Sequence, residues 1–141
     1  MDEAETVRPI PLRGLRHLAL RVASLEKSRR FYEDFIGMKA LWQPDAHSLY
    51  LTLGCDNLAL HELKNGETHA QTGQKMDHFG LIAENEAIVD QMFSRVKKAG
   101  IPIVKPVKRH RDDSYSFYMA DPDGNVIQIL YEPHISTMKL Q

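Results

Sequence analysis

Met76-Asp77-His78-Phe79-Gly80-Leu81-Ile82-Ala83 decides the fold, because at this stretch the chain begins again. Sliding the sequence by 61 residues sets Arg16-His17-Leu18-Ala19-Leu20-Arg21-Val22 on Asp77-His78-Phe79-Gly80-Leu81-Ile82-Ala83, with His17 on His78 and Leu20 on Leu81. The same offset lays Phe31, Tyr32 and Phe35 on Met92, Phe93 and Val96, an apolar helical stripe in both copies. Further along, the offset grows to 67, which sets Tyr50 on Phe117 and His61 on Gln128. A repeat has to be recognised before any local reading, since a missed one misassigns the whole fold. Two copies of one unit are expected, each opening on a strand that carries a histidine.

Within the first copy, Leu15–Ala23 reads as a strand that is apolar on both faces, as between a helix layer and an interior. Alternation places His17, Ala19 and Arg21 on one face and Leu18, Leu20 and Val22 on the other. Ser24 is suited to cap a helix over Leu25–Ile36, and Gly37 to end it. Strands at Lys39–Gln43, Ser48–Leu53 and Leu58–Leu63 follow. Lys64–Lys75, rich in polar residues and without periodicity, is the linker. In the second copy the plan recurs: strand Met76–Ala83, Asn85 as cap, helix Glu86–Ala99 and Gly100 as stop. Strands Pro102–Val107, Ser114–Met119 and Val126–Glu132 complete it. The last two are joined by Asp121-Pro122-Asp123-Gly124-Asn125, a turn in which proline presets one dihedral and glycine accepts a positive one. The expected class is α+β, two tandem βαβββ modules forming curved mixed sheets around a cleft. The boundaries are an arm at 1–13, modules at 14–63 and 76–133, the linker at 64–75 and a tail at 134–141.

Composition narrows the function. With 141 residues, 43% of them hydrophobic and 26% charged, the chain has the make-up of an ordinary globular domain. A net charge of −1 argues against nucleic acid as a partner. Lys105–Arg111 is the densest basic patch; it would either hold an anion or, the preferred reading because Asp112 and Asp113 follow at once, form a solvated loop. The single Cys55 rules out an intrachain disulfide and fits a reducing cytoplasm. No apolar run approaches the roughly 20 residues of a membrane span.

One helix cannot cover both faces of a four-stranded sheet, so two such units would turn their open faces into a shared cleft. Inward residues of the first and last strands would meet there: His17 and His61 from one copy, His78 and Gln128 from the other. Imidazoles on rigid strands, with a side-chain amide to complete an oxygen position, suit an open divalent-metal site. A lone histidine on a strand is more often just hydrogen-bonded; it is the correspondence within a repeat that favours metal. Arg21 shares the face of His17 and has Ile82 as its repeat partner. Its guanidinium would either clamp a substrate carboxylate or phosphonate, or pair with an acidic side chain at the rim. Tyr50, Tyr115 and Tyr118 are further candidates to supply a hydroxyl. His47, His69, His110 and His134 fall in turns or loops and receive no site role.

Three segments carry a resemblance. Leu15-Arg16-His17-Leu18-Ala19-Leu20-Arg21-Val22, Ser28-Arg29-Arg30-Phe31-Tyr32 leading to Gly37-Met38, and Asp121-Pro122-Asp123-Gly124-Asn125-Val126-Ile127-Gln128 are similar to the vicinal oxygen chelate superfamily. That superfamily holds glyoxalase I, methylmalonyl-CoA epimerase, extradiol dioxygenases, fosfomycin-modifying enzymes and bleomycin-resistance proteins. The resemblance implies metal ligands at His17, His61, His78 and Gln128, a small-molecule substrate and a homodimer. The implied chemistry is that of a lyase, isomerase or dioxygenase in which zinc, nickel, iron or manganese stabilises an enolate or alkoxide. A metal-free module that sequesters an antibiotic is the alternative. Gln128 stands where the family usually has glutamate. It keeps a carbonyl oxygen but loses the charge and the capacity to act as a base. Glu62, beside His61, should point to the opposite face of its strand.

Overall fold

The computed structural model describes residues 14–69, 73 and 75–137. The expected arm at 1–13 therefore lies outside the described residues, as do 70–72 and 74 of the linker and 138–141 of the tail. The first module runs β1 (His17–Val22), α1 (Leu25–Arg29, continued by a π-helical turn over Arg30–Phe35), β2 (Lys39–Asp45), β3 (Ser48–Thr52) and β4 (Asn57–Glu62). The second runs β5 (Phe79–Ile82), α2 (Glu86–Lys98), β6 (Ile103–Arg109), β7 (Tyr115–Ala120) and β8 (Val126–Tyr131), with a short α3 (Pro133–Ser136) after it. Each module is a four-stranded mixed sheet, ordered β1-β4-β3-β2 and β5-β8-β7-β6. The pairs β1–β4 and β5–β8 are parallel and the rest antiparallel. This is the α+β repeat expected.

Local chemistry explains the elements. Ser24 caps α1 by accepting from the Lys27 amide at 3.2 Å, and Asn85 caps α2 by accepting from Ile88 at 3.0 Å. Gly37 and Gly100 stop the helices at φ of 94° and 72°, in the left-handed region where glycine meets no Cβ penalty. Behind each sheet a helix buries the alternate residues. Leu20, Val22, Leu49, Leu51, Leu58 and Leu60 form the first inner face, and Phe117, Met119, Ile127 and Ile129 the second. All belong to one apolar cluster with Leu25, Phe31, Tyr32, Val89 and Val96 of the helices.

Three details differ from expectation. The helix predicted over Leu25–Ile36 widens at Arg30–Phe35, where the Ile36 amide bonds the Phe31 carbonyl at 2.9 Å. The wider turn carries adjacent Phe31 and Tyr32 both into the core, at 7% and 0% exposure. β6 extends to Arg109, two residues beyond the expected end at Val107, so Lys108 and Arg109 belong to a strand rather than to a solvated loop. The third concerns register. Gly80 pairs with Gln128 on β8, and its repeat partner Ala19 pairs with Ala59 on β4. Gln128 therefore corresponds to Ala59, two residues short of His61, and Tyr50 corresponds to Tyr118 rather than Phe117. Connection lengths set these offsets: 110–114 is longer than 46–47, which moves the Tyr50 match, and 121–125 is longer than 53–56, which moves the Gln128 match one residue further.

Candidate metal and substrate site

Paired residues on neighbouring strands project to the same face. On the face of the first sheet turned away from the helices, His17 stands beside Asn57. The next row is Ala19, Ala59, Tyr50 and Trp42, and the one after it Arg21, His61 and Ser48. The open face of the second sheet carries Gly80, Gln128, Tyr118 and Lys105 in one row and Ile82, Leu130, Ser116 and Lys108 in the next. His78 lies just before β5, its ring edge-on to Tyr118 at 5.1 Å.

The histidines are held in one particular way. His17 Nδ1 is 2.8 Å from Asn57 Oδ1, and His78 Nδ1 is 2.6 Å from Asp77 Oδ2. Both oxygens only accept, so each Nδ1 carries the proton and each Nε2 keeps its lone pair on the open face. A metal-binding imidazole is usually oriented by such a bond from its other nitrogen. His61 Nδ1 meets Ser48 Oγ at 3.0 Å, a hydroxyl that both donates and accepts, so this bond orients the ring without choosing its tautomer. The donors thus suit a divalent ion chemically. Their placement separates them, however. His61 lies opposite Arg21, four residues further along β1 than His17, about 13 Å away at the usual strand rise. Among the described residues no three His, Cys, Asp or Glu side chains gather where one ion would be held.

Two cavities open on these faces. One of about 380 Å³ is lined by Arg21, Asp45, His47, Ser48, His61 and Glu62. Another, of about 630 Å³, includes Lys108, His110, Arg111, Tyr118 and Gln128. Arg21 makes no ion pair among the described residues. Of the three tyrosines, Tyr50 and Tyr118 share the open faces, whereas Tyr115 donates to Asp90 at 2.6 Å. Burial, and then the charge of Asp77, push the Tyr118 phenol above its ordinary pKa, which favours its protonated form.

Sequence reasoning gave the facing of Glu62 but missed its partners and two further contributors. Glu62 does turn to the helix side, where its Oε2 accepts the Leu25 amide at 2.8 Å and its Oε1 meets His47 Nδ1 at 2.9 Å. The Leu25 bond first, and His47 second, hold the Glu62 carboxyl below its usual range. His110, set aside as a loop residue, reaches Ser116, which in turn bonds Gln128. Buried Asp121 accepts from Tyr32 at 2.5 Å and from the Asp123 and Asn125 amides, which ties the closing turn of the second module to the helix of the first. Strand alternation had signalled the facing of Glu62, and the Asp-Pro-Asp-Gly turn marked Asp121; nothing in the sequence pointed to the partners of either or to His110.

The chain belongs to the Glyoxalase/Bleomycin resistance protein/Dioxygenase superfamily, whose family profile matches residues 14–129. A 2,2',3-trihydroxybiphenyl dioxygenase of Sphingomonas paucimobilis is 30% identical over 128 residues, covering 82% of this chain. The match spans only 40% of that enzyme's own length. A metallothiol transferase FosB of Lysinibacillus sphaericus is 26% identical, with 91% of this chain and 86% of the relative covered. Among solved structures, a lactoylglutathione lyase from Agrobacterium tumefaciens superposes with a TM-score of 0.69 at 22% identity, over 86% of this chain and 96% of the other. That likeness concerns the fold. No helix among the described residues is long and apolar enough to cross a membrane.

Proposed function

We propose that the chain is a divalent-metal enzyme of this superfamily, acting on a small organic substrate that presents two neighbouring oxygens. The observation that carries this reading is the pair of oriented imidazoles, His17 on Asn57 and His78 on Asp77, each with Nε2 free on an open sheet face. With the carbonyl oxygen of Gln128 they form the ligand set we assign. A bound ion would supply Lewis-acid stabilisation of negative charge developing on a substrate oxygen. His61 we assign to the substrate rather than to the ion, because its register places it beside Arg21. There the Arg21 guanidinium orients an anionic group of the substrate, and the His61 imidazole hydrogen-bonds the same part of it, away from the ion.

The site is completed, in this reading, by a second copy of the chain. His17 and His78 lie on different sheets, and in the single chain those open faces are accessible: Trp42 is 62% exposed, Leu41 55% and Ile82 46%. A C2 dimer would bring one copy's first sheet over its partner's second and bury these apolar residues together. Titration of zinc and nickel into protein purified without an affinity tag tests the metal. Saturable uptake supports the enzyme. Less than about one-tenth equivalent with no uptake would favour metal-free sequestration of a small molecule, far below the stoichiometric occupancy of a resident site. The exposed Trp42–Tyr50 stack, with centroids 5.4 Å apart, gives that second reading its own support as an aromatic shelf.

A further inference from the structure

Ser116 is fully buried on β7, and its hydroxyl has two partners. Gln128 Nε2 is 3.0 Å from Ser116 Oγ, and His110 Nε2 is also 3.0 Å from it. The amide nitrogen of glutamine only donates, so Ser116 must accept from it. The single hydroxyl proton is then left for His110, and Nε2 can accept it only if His110 carries its own proton on Nδ1. With His110 in that tautomer the chain runs from Gln128 through Ser116 to His110; in the other tautomer Ser116 would take a second donor on its other lone pair, so the tautomer reports the direction. With its nitrogen turned to Ser116, Gln128 turns Oε1 the other way, where a Cβ on Gly80 of β5 would stand 3.8 Å from it. His110 is itself held by its loop: its amide donates to the Ser114 carbonyl at 2.8 Å, and its carbonyl accepts from Asp113 at 3.0 Å.

We propose that His110 and Ser116 are positioning residues that set the amide of Gln128 with its carbonyl oxygen, not its nitrogen, toward the open face beside β5. An unbraced glutamine presents either end, and only the oxygen end attracts a cation or a hydrogen-bond donor. A carboxylate has no wrong end. The device is thus specific to glutamine, and position 128 is built around an amide rather than left over from a glutamate. The value of the oxygen as a metal ligand rests on the function proposed above; the orientation itself does not.

The test reads the histidine tautomer in ¹⁵N-labelled protein at about pH 8, where an ordinary imidazole is neutral. His110 is expected to carry its proton on Nδ1. In Gln128→Glu the carboxylate accepts from Ser116, so Ser116 must accept from His110, and the proton should move to Nε2. An unchanged tautomer, or Nε2–H in the wild type, would overturn the proposal. Zinc titration supplies the second arm. Ser116→Ala and His110→Phe should each weaken binding about tenfold in the wild type, the lower end for loss of a ligand's support, and much less in the Gln128→Glu background. Equal losses in both backgrounds would overturn it. A tautomer switch in protein that takes up no zinc upholds the brace and removes only the metal reading.

Discussion

In the proposed centre Gln128 concentrates the chemistry, because a neutral third ligand beside two imidazoles would leave a bound divalent ion its full charge. Gln128→Glu should tighten zinc and nickel binding about tenfold, some 1.4 kcal/mol, measured by calorimetry on the two proteins. Equal affinities would remove residue 128 from the ligand set. Glu62 has the opposite character, a structural carboxylate that serves α1 from β4. Glu62→Gln should cost about 1 kcal/mol at neutral pH, the usual range for a lost helix cap. Its folded-state pKa lies below the ordinary 4.5, so its contribution is complete above that value. The contribution is lost as pH falls through the lowered folded value, and the two proteins should converge in denaturant midpoint there. At this scale the sequence was only partly legible. His17 and His78 were identifiable because each opens a copy, and the structure puts both on open faces. Ala59 in place of His61 opposite the Gln128 position was not, because register across a sheet depends on turn lengths that periodicity does not reveal.

The elements were more legible, since caps, glycine stops and alternation act locally. Ser24 and Asn85 cap the two helices as predicted, and strand ends fall within a few residues of the expected ones. The π-helical turn was not readable, because its cause is tertiary: Tyr32 reaches across modules to Asp121, and the wider turn lets Phe31 pack beside it at 4.9 Å. Burial, with the Asp121 charge behind it, pushes the Tyr32 phenol far above its ordinary range, so it remains a donor at every accessible pH. Tyr32→Phe would leave a buried carboxylate oxygen short of one bond. The expected loss is about 1–3 kcal/mol, checked by urea unfolding, and both modules should be affected because the bond joins them. A change below a few tenths would mean that Asp121 is satisfied without Tyr32.

For the whole molecule, the duplication predicted two sheets with open faces, and two such sheets are present. It could not say whether the faces meet within one chain, because a repeat specifies the unit and not its partner. Exposed Trp42, Leu41 and Ile82, and histidines on separate sheets, support a centre assembled from two copies. The most direct test mixes two defective proteins, His17→Ala and His78→Ala, unfolding and refolding them together before cobalt is added. Neither alone should hold the ion. If each centre takes His17 from one copy and His78 from the other, every mixed dimer contains one intact centre and one doubly damaged one. Equal mixing should then restore about a quarter of the wild-type cobalt absorption, given random pairing in a C2 dimer. A mixture that binds no more cobalt than its separate components, while the wild type binds it fully, would contradict the shared centre.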